Sequence, residues 1–258
     1  MLAEVDAVSI AVPTAYHYQV ARQCLNQGVH ILLEKPITQT PDEARELIAL
    51  AKTRRLVLQV GHLERFNPII RAVGGKIRAP RFIETIRIAP FSQRSIDIDV
   101  LLDLMIHDID IILSLVQAPI HSIDSVGVPV ITDKIDIANV RMRFVNGCVA
   151  NLTASRVSDK TERKIRVFEE ALYLSIDYGK QAAAIYRKQA TATGLPLITT
   201  EEIAFDKEDV LLHETGAFLD AIRTGQAPAV TGEDGLQALE VAHAIRADIA
   251  ERAQPGAA

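Results

Sequence analysis

Short apolar runs alternate with amphipathic stretches over the opening part of the chain. Residues 5–12 are mostly apolar and closed by Pro13-Thr14, the pattern of a strand buried on both faces. A helix is predicted from about Ala15 to Asn26, with Gly28 as its C-terminal stop. Residues 29–33 form a second apolar strand that ends abruptly in Glu34-Lys35-Pro36. Thr40-Pro41-Asp42-Glu43 then supplies a capping box for a helix reaching Thr53, and residues 56–60 make a third strand. Strands alternating with helices of this length imply βαβ crossovers and a parallel sheet.

Further along, the period changes. Residues 82–88 alternate apolar and polar, and residues 99–116 form one long, nearly all-apolar helix. Strand-like stretches follow near residues 120–131, 135–144, 148–156, 162–168 and 171–178, with short connections such as Asn146-Gly147 that favour antiparallel pairing. Two helices close the chain at residues 209–224 and 233–252. In the last, Leu236, Leu239, Ala242, Ile245 and Ile249 recur at helical spacing behind Thr231-x-x-Asp234.

Composition narrows the class. The 258 residues are 48% hydrophobic and 24% charged, the balance of a globular protein with a real core. A net charge of −5 offers no basic footprint for nucleic acid. Two cysteines, Cys24 and Cys148, exclude a disulfide scaffold and a cysteine-rich metal site. No apolar run approaches the ~18 residues that span a bilayer. The start carries Glu4 and Asp6 and no Lys or Arg before Arg22, unlike a secretory signal, so the cytoplasm is the expected compartment.

Candidate chemistry sits in two places. At ~100° per residue, Asp99, His107, Asp110 and Ser114 fall within about 40° of Asp103 on the long helix. Asp108 lies on the far side, and every other residue from Val100 to Val116 is Leu, Ile, Val or Met. A narrow ionisable stripe on a buried helix needs partners or a wet cavity. Asp103 and His107 are one turn apart, so the carboxylate could orient the imidazole for acid/base work; a helix-end charge effect with a core histidine explains the same residues equally well. The second place is Glu34-Lys35-Pro36, two charges at the carboxyl end of a buried strand, where α/β sheets bind ligands. A lysine there can donate to a substrate oxygen, although a solvated strand end is the plainer reading. Val12-Pro13-Thr14, His17 and His62 supply further groups to that edge. No histidine pair has convincing metal-ligand spacing, and no G-x-S-x-G element suggests a serine hydrolase.

The ordered set is recognisable. Val5-Asp6-Ala7-Val8 through Val12-Pro13-Thr14 and His17, then Gly28-Val29-His30, Glu34-Lys35-Pro36 and Asp103-x-x-x-His107, resembles the Gfo/Idh/MocA oxidoreductase family, and agreement extends to Gly216-Ala217-Phe218 and Thr231-Gly232-Glu233-Asp234-Gly235. The resemblance implies α/β plus α+β architecture: a partial Rossmann-like parallel sheet (residues 1–66), then a larger substrate and oligomerisation domain (67–258) with a mainly antiparallel open sheet and flanking helices. It implies NAD or NADP as cofactor and hydride transfer to or from a sugar or nucleotide sugar. Lys35, His107 and Asp103 become the catalytic set acting on one substrate, and Val12, Pro13, Thr14, His17, Glu34, Lys35 and His62 the cofactor contacts, with no metal. Residues 61–68 and 105–110 look most like the branch that oxidises the 3-hydroxyl of UDP-N-acetylglucosamine, in a homodimer or homotetramer.

One feature departs from the family pattern. No G-x-G occurs among the 13 glycines, and the chain begins where the fourth strand of the dinucleotide domain is expected. An N-terminally shortened chain with weakened cofactor binding is therefore expected. The rival reading is a non-catalytic homologue that binds a sugar nucleotide or forms an oligomer.

Overall fold

The computed structural model describes residues 4–92, 98–190, 195–205 and 208–253. In chain order the first elements are β1 (Ala7–Ile10), α1 (His17–Asn26), β2 (His30–Glu34), α2 (Pro41–Arg54), β3 (Leu58–Gly61) and α3 (Pro68–Gly74). Next come β4 (Phe82–Ile88), a π-helical turn (Leu101–Met105) that runs on into α4 (Ile106–Val116), β5 (Ile120–Val128), β6 (Ile137–Phe144) and β7 (Val149–Ser155). The chain continues through β8 (Glu162–Glu169), β9 (Leu172–Asp177), β10 (Ala182–Gln189), β11 (Leu197–Ala204), α5 (Val210–Thr224) and α6 (Gly232–Arg252).

Residue contacts group the chain into two units, Met1–Asn67 with Asp209–Val241, and Pro68–Glu208 with Ala242–Ala258. The sequence pattern placed residues 209–241 with the second domain, whereas they pack on the parallel sheet. The reason is local: the Val60 N–H donates to Val230 O at 3.1 Å, and Gln59 and Thr231 form an antiparallel bridge along β3. The start of α6 then comes so close that a Cβ on Gly235 would lie 2.8 Å from Val60 Cγ2, and one on Gly232 would lie 2.7 Å from Ile48 Cγ1.

The first unit holds a parallel sheet in the order β1-β2-β3, as the alternating pattern predicts. Ile31, Leu33 and Val60 are fully buried in it. The capping box of α2 forms as read, with Glu43 N–H donating to Thr40 Oγ1 and Thr40 N–H to Glu43 Oε2. At the start of α6, Asp234 N–H donates to Thr231 Oγ1 while Thr231 N–H and hydroxyl donate to the Asp234 carboxylate.

In the second unit eight strands run in the order β11-β10-β9-β8-β4-β7-β6-β5, all neighbours antiparallel except β4 with β7. One face buries Ile83, Val140, Met142, Leu152, Ile165 and Ile176. On the other, the half-buried rings of Phe82, Phe168, Tyr173 and Tyr186 stack across neighbouring strands with centroids 4.7–5.6 Å apart. β10 and β11 extend the sheet beyond the strands that were predicted. The Ala182-Ala183-Ala184 run has little strand propensity, and β11, largely exposed, pairs with β10 at the sheet edge. β5 stops at Val128 because the Asp136 carboxylate gathers the N–H groups of Val130, Ile131 and Thr132 at 2.7–2.8 Å. Burial opposes ionisation of that carboxyl, yet these donors and the Thr132 hydroxyl hold it down at about 2.

The contact of Gly235 with Val60 yields a test. Gly235→Ala should destabilise the protein by about 1–3 kcal/mol in urea unfolding through overpacking. Most of that loss should disappear in a Val60→Ala background, where the methyl groups that the new Cβ strikes are gone; equal losses in both backgrounds would disprove the contact.

Candidate active-site residues

The parallel register of the first unit brings three strand ends to one edge. Glu34 at the end of β2 is paired with Gly61 at the end of β3. A Cβ at position 61 would lie 3.1 Å from both Glu34 Cα and Glu34 Oε2, so glycine lets the Glu34 side chain lie across the β3 backbone. From there Glu34 Oε2 accepts from the Lys35 N–H at 3.3 Å. Glu34 and Lys35 are half-buried, and the Lys35–Pro36 peptide is cis. Val12 and Pro13 are exposed after β1, and Thr14 begins a single 3-10 turn ahead of α1.

His17 and His62 are placed differently from the exposed residues. His17 is 1% exposed, with Nδ1 2.8 Å from Pro36 O and Nε2 2.9 Å from Val12 O. Its ring fastens the turn after β1 to the turn after β2. His62 is equally buried, at the end of β3.

The sequence reading passed over Glu214. It lies on the buried stripe of α5 with Phe218 and Ala221, and this spacing on an otherwise apolar face was the available signal. It is 1% exposed, and neither carboxyl oxygen has a hydrogen-bond partner. Burial first, and the Glu34 charge second, push its carboxyl up to about 7. Gln59 of β3 donates through Nε2 to the Glu214 carbonyl at 3.1 Å, and its own Oε1 is buried without a partner.

In the second unit the residues of the ionisable stripe differ in burial and in their contacts. Asp99 accepts from the Leu102 N–H at 3.1 Å and pairs with Arg246 at 2.6 Å, so it caps and ties the helix. The Ser114 hydroxyl donates to Ile111 O at 2.7 Å, and Asp110 is 1% exposed. Asp103, within the π turn, and His107, in the first turn of α4, are both half-buried. The uniform helical rotation assumed from sequence fails over the π turn, where Ile106 N–H donates to Leu101 O five residues back. Such turns are frequent at functional sites. On the far side Asp108 is buried against Arg87 of β4 at 2.9 Å, and the Arg87 guanidinium lies 5.7 Å from the Tyr178 ring centroid. Among the described residues no group of three or more His, Cys, Asp or Glu could hold a metal ion.

The donor set at the strand ends fits a nicotinamide cofactor. The exposed Val12–Pro13 turn offers apolar surface, and the end of β2 offers a cation at Lys35 beside the Glu34 carboxylate that the bare Gly61 backbone accommodates.

The chain is similar to known proteins over both units. Residues 1–62 match the model of an oxidoreductase family with an NAD-binding Rossmann fold, and residues 84–172 match the GFO/IDH/MocA C-terminal domain. The chain belongs to the Gfo/Idh/MocA family of NAD-binding oxidoreductases. It is 42% identical over 248 residues to UDP-N-acetylglucosamine 3-dehydrogenase of Acidithiobacillus ferrooxidans, covering 95% of this chain and 79% of that protein. A solved structure of that enzyme superposes with a TM-score of 0.92 at 40% identity, over 98% of this chain and 81% of the other. Levoglucosan dehydrogenase, solved in complex with NADH and levoglucosan, shares the fold at 20% identity with a TM-score of 0.86, over 97% of this chain and 79% of that one.

The Arg87–Asp108 pair anchors the helix that carries Asp103 and His107, and it can be tested alone. Asp108→Ala removes the carboxylate paired with a buried guanidinium and should cost about 3–5 kcal/mol in urea unfolding, whereas joint replacement by Arg87→Met and Asp108→Leu should recover most of it. An Asp108→Ala loss below about 1 kcal/mol, the scale of an exposed pair, would contradict this role.

Proposed function

We propose that this chain oxidises a secondary hydroxyl of a nucleotide sugar, specifically the 3-hydroxyl of UDP-N-acetylglucosamine, with Lys35, His107 and Asp103 as its catalytic residues. The observation that carries the reading is the Lys35 turn, braced by Glu34 over Gly61 at the edge where parallel strands end. The 42% identity with an enzyme of that name supports the substrate. Val12, Pro13, Thr14, Glu34, Lys35 and His62 are the residues proposed to hold the nicotinamide half of NAD or NADP, with His17 fixing the turns behind them. When bound, the nicotinamide supplies a two-electron acceptor for hydride.

Lys35 donates a charge-assisted hydrogen bond to the substrate hydroxyl and stabilises the negative charge that develops on its oxygen. His107 takes up the hydroxyl proton, and Asp103, one turn away, orients the ring and stabilises its charged form. The reading includes a cytoplasmic location and self-association through the stacked aromatic face of the large sheet.

The test combines turnover with binding. Acid/base help of this kind is worth about 10²–10⁴ in rate, so Lys35→Ala and His107→Ala should each lose on that order of kcat/KM with unchanged circular dichroism. Calorimetric titration of the parent and both variants with NADH and with UDP-N-acetylglucosamine should show binding in all three. Turnover within tenfold of the parent in either variant overturns the role assigned to that residue. Sugar-nucleotide binding without NADH binding or turnover in the parent replaces the enzyme reading with the binding-subunit one.

A further inference from the structure

We infer that Glu214 is a proton-carrying positioning residue: it remains neutral beside the Glu34 carboxylate, and so keeps Glu34 braced against the Lys35 amide. The inference deepens the proposed function and rests on Lys35 acting there.

Three buried acceptor atoms lie where β3 meets α5 without a donor, namely Gln59 Oε1, Glu214 Oε1 and Glu214 Oε2. The Glu214 carbonyl can only accept, which fixes the Gln59 amide with Nε2 toward that carbonyl and leaves Oε1 as the orphan. A buried acceptor left unsatisfied is costly, and a proton on Glu214 turns one of the three into a donor from within the chain. The nearby charge points the same way. Glu34 is held in place by its passage over Gly61 and by the Lys35 N–H, so a second carboxylate beside it meets repulsion that Glu34 cannot relieve without leaving the amide.

Other ionisable groups lie on α5 and on the elements packed against it. In the 3-10 turn Leu63–Phe66, Arg65 pairs with Asp234 and Glu64 accepts from Asn67. His62 lies buried just before that turn, and Glu34 is the charged residue of β2 that acts on Glu214. On α5 itself, Asp220 pairs with Arg223, and His213 is adjacent in sequence.

The sign of the pH effect follows. The folded protein holds this proton up to about 7, against an ordinary value of 4.5. The stability it contributes is therefore complete below the ordinary carboxyl range and is lost as pH rises through about 7, the proton passing to solvent.

The experiment uses the whole chain without cofactor. Infrared titration should show a protonated-carboxyl stretch that persists at about pH 6, disappears around neutrality and is missing in Glu214→Gln. The Lys35 backbone amide, followed by nitrogen-15 NMR, should show an inflection over the same range in the parent and none in Glu214→Gln. A Lys35 amide that titrates alike in both proteins overturns the inference, as does a parent with no protonated-carboxyl band. Should Glu214→Gln not fold, Glu34→Gln decides: removing the neighbouring charge should lower the band's midpoint by a measurable fraction of a pH unit, and an unmoved midpoint is fatal to the coupling. Turnover of Lys35→Ala tests the catalytic reading separately, since neither spectrum depends on activity.

Discussion

The parallel register of β2 against β3 is the constraint on which the strand-end site depends. It places Glu34 opposite Gly61, where a Cβ would crowd the Glu34 backbone and carboxyl at 3.1 Å and push against the side chain that reaches the Lys35 amide. A slip by one residue would turn every side chain of β2 to the opposite face. Ile31, Leu32 and Leu33 bury both faces of β2, so a slip would exchange close-packed side chains between two different packing environments. Hydrophobic packing thus sets the position of a lysine that takes no part in the core.

In the second unit a different interaction does the positioning. A nearly all-apolar helix gains little from one rotation over another, because almost every side can be buried. Asp108 removes that freedom: once it meets Arg87 on β4, the helix has one orientation on the sheet, and the Asp99–Arg246 pair secures its beginning. Asp103 and His107, carried by the same segment, are half-buried. The π turn adjusts the phase between them and the start of the helix, a correction that a uniform rotation per residue does not contain.

What was legible in the sequence was what repeats locally. The strands of the parallel sheet, the Thr40 capping box, the Asn146-Gly147 turn and the apolar helix each carry their signal within a few residues. The edge strands β10 and β11 carry almost none, since alanines and exposed Thr and Glu become strand by pairing with a neighbour. Whether residues 209–241 join the first sheet or the second depends on the fit of Gly232 and Gly235 against Ile48 and Val60, which no local pattern expresses. At the site, position could be read but role could not. The sequence pattern puts His17 near the strand-end edge, yet only coordinates show both ring nitrogens engaged with carbonyl oxygens. Glu214 did leave a trace, a carboxylate on an apolar stripe, and its meaning required the neighbour Glu34.

The two units also handle buried charge in opposite ways. Arg87 and Asp108 neutralise one another, and the pair is compatible with a rigid core even where an apolar substitute would be as stable. Glu34 and Glu214 have the same sign, so ionising both is unfavourable and one proton is retained instead. A hydrophobic residue at position 214 would remove that penalty and fill the same stripe of α5. The acid is therefore hard to explain as a stabilising element, and strongly shifted groups of this kind cluster where chemistry is done. Its coupling to Glu34, which holds the Lys35 amide, gives the cost a purpose: the charge beside the lysine is set by a proton held within the fold.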